Sequence, residues 1–274
     1  MFHFEIVRAS FAGCFRNRRL WLIQFFANPI LFALFSAWLL IPVASNLHLV
    51  WNLLFAIFLI MAALMLHAGT LNSFFDRESR DLAPLWPAFR RASRHLLAVA
   101  VCVAVFYYLW TVVDKLETYS DSLPAYVRST FPVYLRRLIT LPDLDKVFSA
   151  VLFIARWILA PGLLLPLALQ TADRGFRGFG LRSLSAWRKT VLNFSYWLLV
   201  SASALFGVLA TQALMAWTPD FRTSTFHCEA ISLSWRLIVS YLFGLFSWML
   251  ACSVVSRSAV AARISSNIVG DSVA

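Results

Sequence analysis

Apolar residues in this chain neither alternate nor keep to one helical face; they run on uninterrupted. Six stretches qualify as spans: 20–44, 49–69, 96–113, 147–170, 193–217 and 233–255. At 1.5 Å of rise per residue, about 20 apolar residues cross the hydrocarbon core of a bilayer. The third stretch is the shortest and is expected to extend into its flanks. None of the six contains Asp or Glu. The pattern predicts an all-α fold, a polytopic bundle of six transmembrane helices with short amphipathic helices at its interface. The first stretch follows Arg16, Arg18 and Arg19 and ends near the small residues Val43, Ala44 and Ser45, as a cleaved leader would. A secretory apolar region has about 7–15 residues, so an uncleaved anchor is the better reading.

Composition excludes a soluble chain. Hydrophobic residues make up 61% and charged residues 14%, where soluble domains carry roughly a quarter charged. A chain of 274 residues with so little charge could not cover a water-facing surface. The net charge of +11 comes mostly from arginine. Those arginines cluster at the ends of apolar runs, where anionic headgroups lie. The expected partner is therefore the lipid bilayer, with other membrane subunits as further candidates, and nucleic acid is not expected.

Charge asymmetry gives a direction. The N-terminal segment and segments 70–95, 171–192 and 256–274 hold sixteen Lys and Arg; the connections 45–48, 114–146 and 218–232 hold six, one of them Arg222. In 114–146 the five basic residues are balanced by Asp114, Glu117, Asp121, Asp143 and Asp145. The positive-inside rule then places both termini in the cytoplasm. No connection is long enough for a soluble domain, which needs about 50 residues. Residues 1–258 read as one membrane domain and 259–274 as a flexible cytoplasmic tail. Within 119–141, aromatics and arginines mix around Pro132, which fits either an interfacial helix broken at that proline or a plain loop.

Three segments before spans resemble one another. Aligning Phe11, Phe89 and Trp187 brings Asn17, His95 and Asn193 into register six residues later, with a small residue before each aromatic. Each reads as a basic amphipathic helix on the inner leaflet, its aromatic dipping into the acyl boundary and its arginines reaching phosphates. The units would be 1–70, 71–170 and 171–258, parallel repeats about an axis along the membrane normal. The plainer alternative is that inner-face basic bias makes any such segments look alike. The Ala88-Phe89-Arg90-Arg91 and Ala186-Trp187-Arg188-Lys189 motifs, each followed by a long span, resemble a broad, uncharacterised group of bacterial membrane proteins. That group includes the YciC-like proteins and the membrane domain attached to some glycerophosphodiester phosphodiesterases. The resemblance implies six helices and a bacterial inner membrane, and it transfers no catalytic residue.

Candidate chemistry is sparse. Arg156 lies in the fourth run about 14 Å from its outer end, where a central arginine costs about 2.5–3.5 kcal/mol on insertion scales. Without an acid in any span, its expected partners are neutral carbonyls such as those of Gln24, Asn28, Asn52 or Gln212, a lipid phosphate, or a bound anion. Arg90, Arg91, Arg188 and Lys189 join it as candidate lipid or anion contacts. Pro161 and Pro166 with Gly162, and Asn28-Pro29, allow kinks. Ser240, Gly244, Ser247, Ala251, Ser203 and Gly207 space small residues for close helix contact. Cys14, Cys102, Cys228 and Cys252 and the scattered histidines form no disulfide or metal pattern. His67 is expected to make an interfacial hydrogen bond rather than to ligate a haem. Gly175 to Gly180 reads as a flexible turn, since no strand precedes it. No catalytic, cofactor or metal site is expected. The function that fits is a non-enzymatic scaffold, accessory subunit or lipid-interacting component; the alternative is a transporter or channel for an anionic or lipid substrate. A cation-coupled carrier is disfavoured, because such coupling uses intramembrane carboxylates.

Overall fold

The computed structural model describes residues 2–42, 45–80, 85–119, 122–217 and 226–271. Val43, Ala44, Asp121 and Arg222 lie outside the described residues. The chain is an all-α bundle with six helices long and apolar enough to cross a membrane. Three hairpins supply them. The first is α2 (Arg18–Leu39) and α3 (Asn46–Arg80). The second is α5 (Leu96–Glu117) and a long rod, α8 (Leu141–Ile154), a π turn (Ala155–Leu159) and α9 (Ala160–Arg174). The third is α11 (Phe194–Ala216) and α12 (Phe226–Asp271). Each hairpin is preceded by a short helix: α1 (Phe2–Arg16), α4 (Leu85–Arg94) and α10 (Leu181–Val191). These short helices gather at one end of the bundle, the basic end; the end at which α2, α5 and α11 finish is the far end. There, α6 (Ser122–Thr130) and α7 (Val133–Leu138) break at Pro132, which caps α7.

The residues aligned in the sequence are helix caps. Asn17 precedes α2 and its Oδ1 accepts the Leu20 amide at 3.3 Å; Asn193 precedes α11 and accepts the Ser195 amide at 3.0 Å. Such caps satisfy amides that lack an intrahelical partner. His95 takes the same place before α5 without a side-chain cap bond. Four residues beyond Asn17 and Asn193 stand Trp21 and Trp197. Their indoles donate back to Cys14 O at 2.8 Å and Val191 O at 2.6 Å, carbonyls left open where α1 and α10 end.

Packing follows a cyclic order. The second helices α3, α9 and α12 meet at the centre. Each first helix lies against its own partner and one neighbour: α2 touches α12, α5 touches α3, and α11 touches the π turn before α9. Each short helix packs on the second helix of the preceding hairpin, α4 on α3, α10 on α9, and α1 on α12. For two of the three aligned aromatics, Phe89 and Trp187, this placement corrects the picture of aromatics dipping into lipid; Phe11 remains exposed. Phe89 covers Gly69 so closely that a Cβ there would sit 2.5 Å from its ring, and Trp187 donates to Leu163 O at 2.7 Å. The aromatic face of the amphipathic helix turns toward the neighbouring hairpin because glycine and an exposed carbonyl leave room and a partner there.

Prolines 29 and 166 show why the hairpins must interlock. Proline has no N–H, so it orphans the carbonyl four residues earlier. Pro166 frees Gly162 O, and Tyr196 of α11 donates its hydroxyl to it at 2.6 Å in a buried contact. Pro29 frees Phe25 O, and Tyr241 of α12 lies 3.0 Å from it and 3.1 Å from Gln24 O. Arg236 does the same for a helix end, donating to Met215 O at 3.2 Å and Trp217 O at 2.6 Å at the close of α11. Small residues bring α11 and α12 together, with Ser247 Oγ donating to Ser203 O at 2.5 Å beside Gly207; Gly244 instead faces open space.

Two further expectations are corrected. Of the tail, residues 259–271 are helical, since α12 runs on to Asp271 and buries Ala259 and Ala262. The glycine segment is a packed turn: Gly175 has φ 63°, a left-handed value glycine tolerates, and Gly178 lies against the backbone of Gln170 and Thr171.

Removing the Tyr196 hydroxyl strands Gly162 O. Tyr196→Phe is expected to destabilise the bundle by about 1 kcal/mol in reversible unfolding in mixed micelles. Adding Pro166→Ala, which restores the amide partner, is expected to recover much of that loss.

Candidate functional site

The densest polar cluster lies where the three second helices end, at the basic end. α3 brings Asn72, Phe75 and Asp76, α9 brings Asp173 and Arg174, α4 brings Arg91 and α12 brings Arg263. Asp173 is the hub. Its Oδ1 lies 3.4 Å from Arg91 Nη1, and its Oδ2 lies 3.1 Å from Arg263 Nη2 and 3.7 Å from Arg174 Nε. Arg91 Nη1 also reaches Asp76 Oδ1 at 2.7 Å. Both carboxylates are buried, with 6% of each side chain exposed. The Arg263 guanidinium stacks 4.3 Å from the centre of the Phe75 ring. Alongside, Asn72 donates to Ala172 O at 2.9 Å, one of the carbonyls left open at the end of α9. Glu78 and Arg257 add a pair between α3 and α12 at 2.9 Å.

This geometry joins helices. Carboxylates removed from water are costly unless paired, and here the pairing groups come from four separate helices. Among the described residues, no three potential metal ligands converge.

A thread of uncharged polar groups runs on from the cluster into the bundle. Gln24 of α2 donates to Thr70 Oγ1 at 2.5 Å, and Asn28 donates to Gln24 Oε1 at 2.8 Å. His67 does not reach the interface as expected; it packs edge-on against Trp248 with ring centres 5.1 Å apart. The reason is the length of α3, which continues eleven residues past 69 to Arg80 and leaves His67 inside the protein.

The candidate lipid or anion contacts divide. Arg90, Arg188 and Lys189 are exposed at the basic end. Arg91, about 100° around α4 from Arg90, is turned inward to Asp76 and Asp173. Arg156 does not have the neutral partners expected of it. Its guanidinium binds Asp114 and, at 2.6 Å, Glu117, both in the last turns of α5, and sits 5.3 Å over the Trp110 ring. The acids were out of view because the third apolar run ends at 113 while its helix continues to Glu117. Measured along their helices, Asp114 and Arg156 both stand about 27 Å from the basic ends of α5 and α9. A π turn at 155–159, where Ala160 donates to Ala155 O, carries Arg156 just before Pro161.

Asp76 and Asp173 escaped the sequence reading. The available signal was an acid just beyond each of two runs, at 76 after 69 and at 173 after 170.

Asp173→Asn is expected to cost about 2 kcal/mol in mixed-micelle unfolding, because it removes the buried carboxylate that the partly exposed Arg91, Arg174 and Arg263 share. Asp114→Asn, in a half-exposed pair that retains Glu117, is expected to change stability by less than about 1 kcal/mol. Comparison with family models, with curated proteins and with solved structures returned no match to this chain.

Proposed function

We propose that this protein is a non-enzymatic membrane component, a scaffold or accessory subunit that engages anionic lipid through its basic end. The observation that carries the reading is a division of labour among charges. Asp76, Glu78 and Asp173 are taken up by Arg91, Arg257 and Arg263 within the bundle. Arg90, Arg188 and Lys189 stay exposed on α4 and α10, beside the exposed apolar residues Trp86, Leu181 and Leu192. Exposed cations next to exposed apolar side chains suit the headgroup layer.

The basic end is assigned to the cytoplasmic face, with both termini there, on the Lys and Arg asymmetry. The resemblance to the YciC-like group supports a bacterial inner membrane. The transport alternative rested on Arg156 as an anion site, and Asp114 and Glu117 now occupy that arginine. Flux of anions or phospholipids through reconstituted vesicles would reinstate it.

Topology is open to a direct check. Cys228 is exposed near the far end, whereas Cys14, Cys102 and Cys252 are buried, and burial pushes the Cys14 thiol up to about 12. An impermeant maleimide is expected to label Cys228 in intact cells, and an Arg188→Cys variant at the new position only after permeabilisation. Labelling of that position from outside would reverse the orientation. For lipid engagement, the triple variant Arg90→Gln, Arg188→Gln, Lys189→Gln is expected to co-purify with fewer anionic lipids, each charge contributing about 1 kcal/mol near an anionic surface. An unchanged anionic fraction would sink the reading.

A further inference from the structure

A groove at the junction of α1 and α2 carries features that bundle packing does not require. It is lined by Phe15, Arg18, Trp21, Leu22 and Phe25 and has a volume of about 730 Å³. Phe15 and Trp21 form a flat wall, their rings 6.0 Å apart and 2° from parallel. Phe15 and Leu22 are each 58% exposed, so the wall and floor are open from the side.

Arg18 stands at the mouth. It is exposed, as are Arg16 and Arg19, and no carboxylate pairs with any of the three among the described residues. The basic-end arginines of α4, α9 and α12 that meet Asp76, Glu78 and Asp173 behave differently. In the register that aligns Asn17, His95 and Asn193, the position of Arg18 is filled by Leu96 and Phe194. A guanidinium there is not needed to start a membrane helix.

The spacing fits one kind of occupant. Arg18, Leu22 and Phe25 are four and three residues apart and share a face of α2. Leu22 lies about 6 Å and Phe25 about 10 Å further along the helix axis than Arg18. A phosphate held at Arg18 would lead an acyl chain down over Leu22 and Phe25, with the Phe15 and Trp21 wall beside its glycerol region. We propose that this groove seats one anionic glycerophospholipid, its phosphate on Arg18 and one acyl chain on Leu22 and Phe25. Three arginines within four residues favour a net negative headgroup over a zwitterionic one. The proposal rests on the lipid-engaging reading above and narrows it to a defined site whose lining does not include Arg90, Arg188 or Lys189.

The test uses full-length, detergent-purified protein titrated with phosphatidylglycerol or phosphatidylcholine and read by native mass spectrometry. One phosphatidylglycerol per chain is expected to bind more tightly than phosphatidylcholine. Arg18→Gln is expected to weaken it about tenfold, the loss of a charge-assisted contact, with partial recovery in Arg18→Lys. The Arg90, Arg188 and Lys189 triple variant is expected to keep this one lipid. A phosphatidylglycerol analogue with a photoreactive acyl chain is expected to crosslink within residues 15–25. Undiminished binding by Arg18→Gln, or crosslinks confined to other segments, would overturn the site while leaving the broader reading intact. Equal binding of the two lipids by the unaltered protein would overturn both.

Discussion

Polar groups that lose their local partner in this bundle are met by side chains from another helix. In hydrocarbon there is no water to take an orphaned carbonyl or carboxylate, so the cost of leaving one alone is several kcal/mol. Pro166 and Pro29 each open a carbonyl in a membrane helix, and tyrosines of the third hairpin close them. The ends of α9 and α11 are closed by Asn72 and Arg236. Apolar contact alone does not discriminate between a neighbouring helix and lipid, which is equally apolar. These directional bonds therefore decide which helix lies beside which.

The same constraint explains the two charged centres. At the basic end, Asp173 draws Arg91 and Arg263 onto itself and so fixes α4 and α12 against α9. At the far end, Asp114 and Glu117 draw Arg156 across from the rod of the second hairpin. The first centre is buried and is the one whose loss is costly; the second is half-exposed. Charges left over after this pairing include those on α1, α2, α4 and α10, where they face outward. At the basic end, then, the acids are spent on assembly while arginines remain on the surface.

Recurrent local devices accompany the cyclic packing. A polar residue caps the first membrane helix, and in two of the three units an indole four residues later closes the short helix before it. The second unit departs from this, with His95 as cap and Val99 where the others have tryptophan. There Phe89 over Gly69 supplies the contact between short helix and hairpin instead. The common plan tolerates such exchanges because it fixes where a short helix docks, on the preceding second helix, more than which bond secures it.

Much of this was legible in the sequence. Uninterrupted apolar runs determined the six spans, because length and hydrophobicity suffice to place a segment in a bilayer. The register of Asn17, His95 and Asn193 marked the starts of three of them. What the sequence could not show was which side chains meet across the bundle. Arg156 lacked an acid in its own run, and only the extension of α5 to Glu117 supplied one. Arg91 and Arg90 look alike in sequence, yet one turns in to Asp76 and Asp173 and the other faces out, because consecutive helix residues stand about 100° apart. Hydropathy is a property of segments and can be summed along the chain; a partner is a property of geometry, and tertiary structure alone decided it.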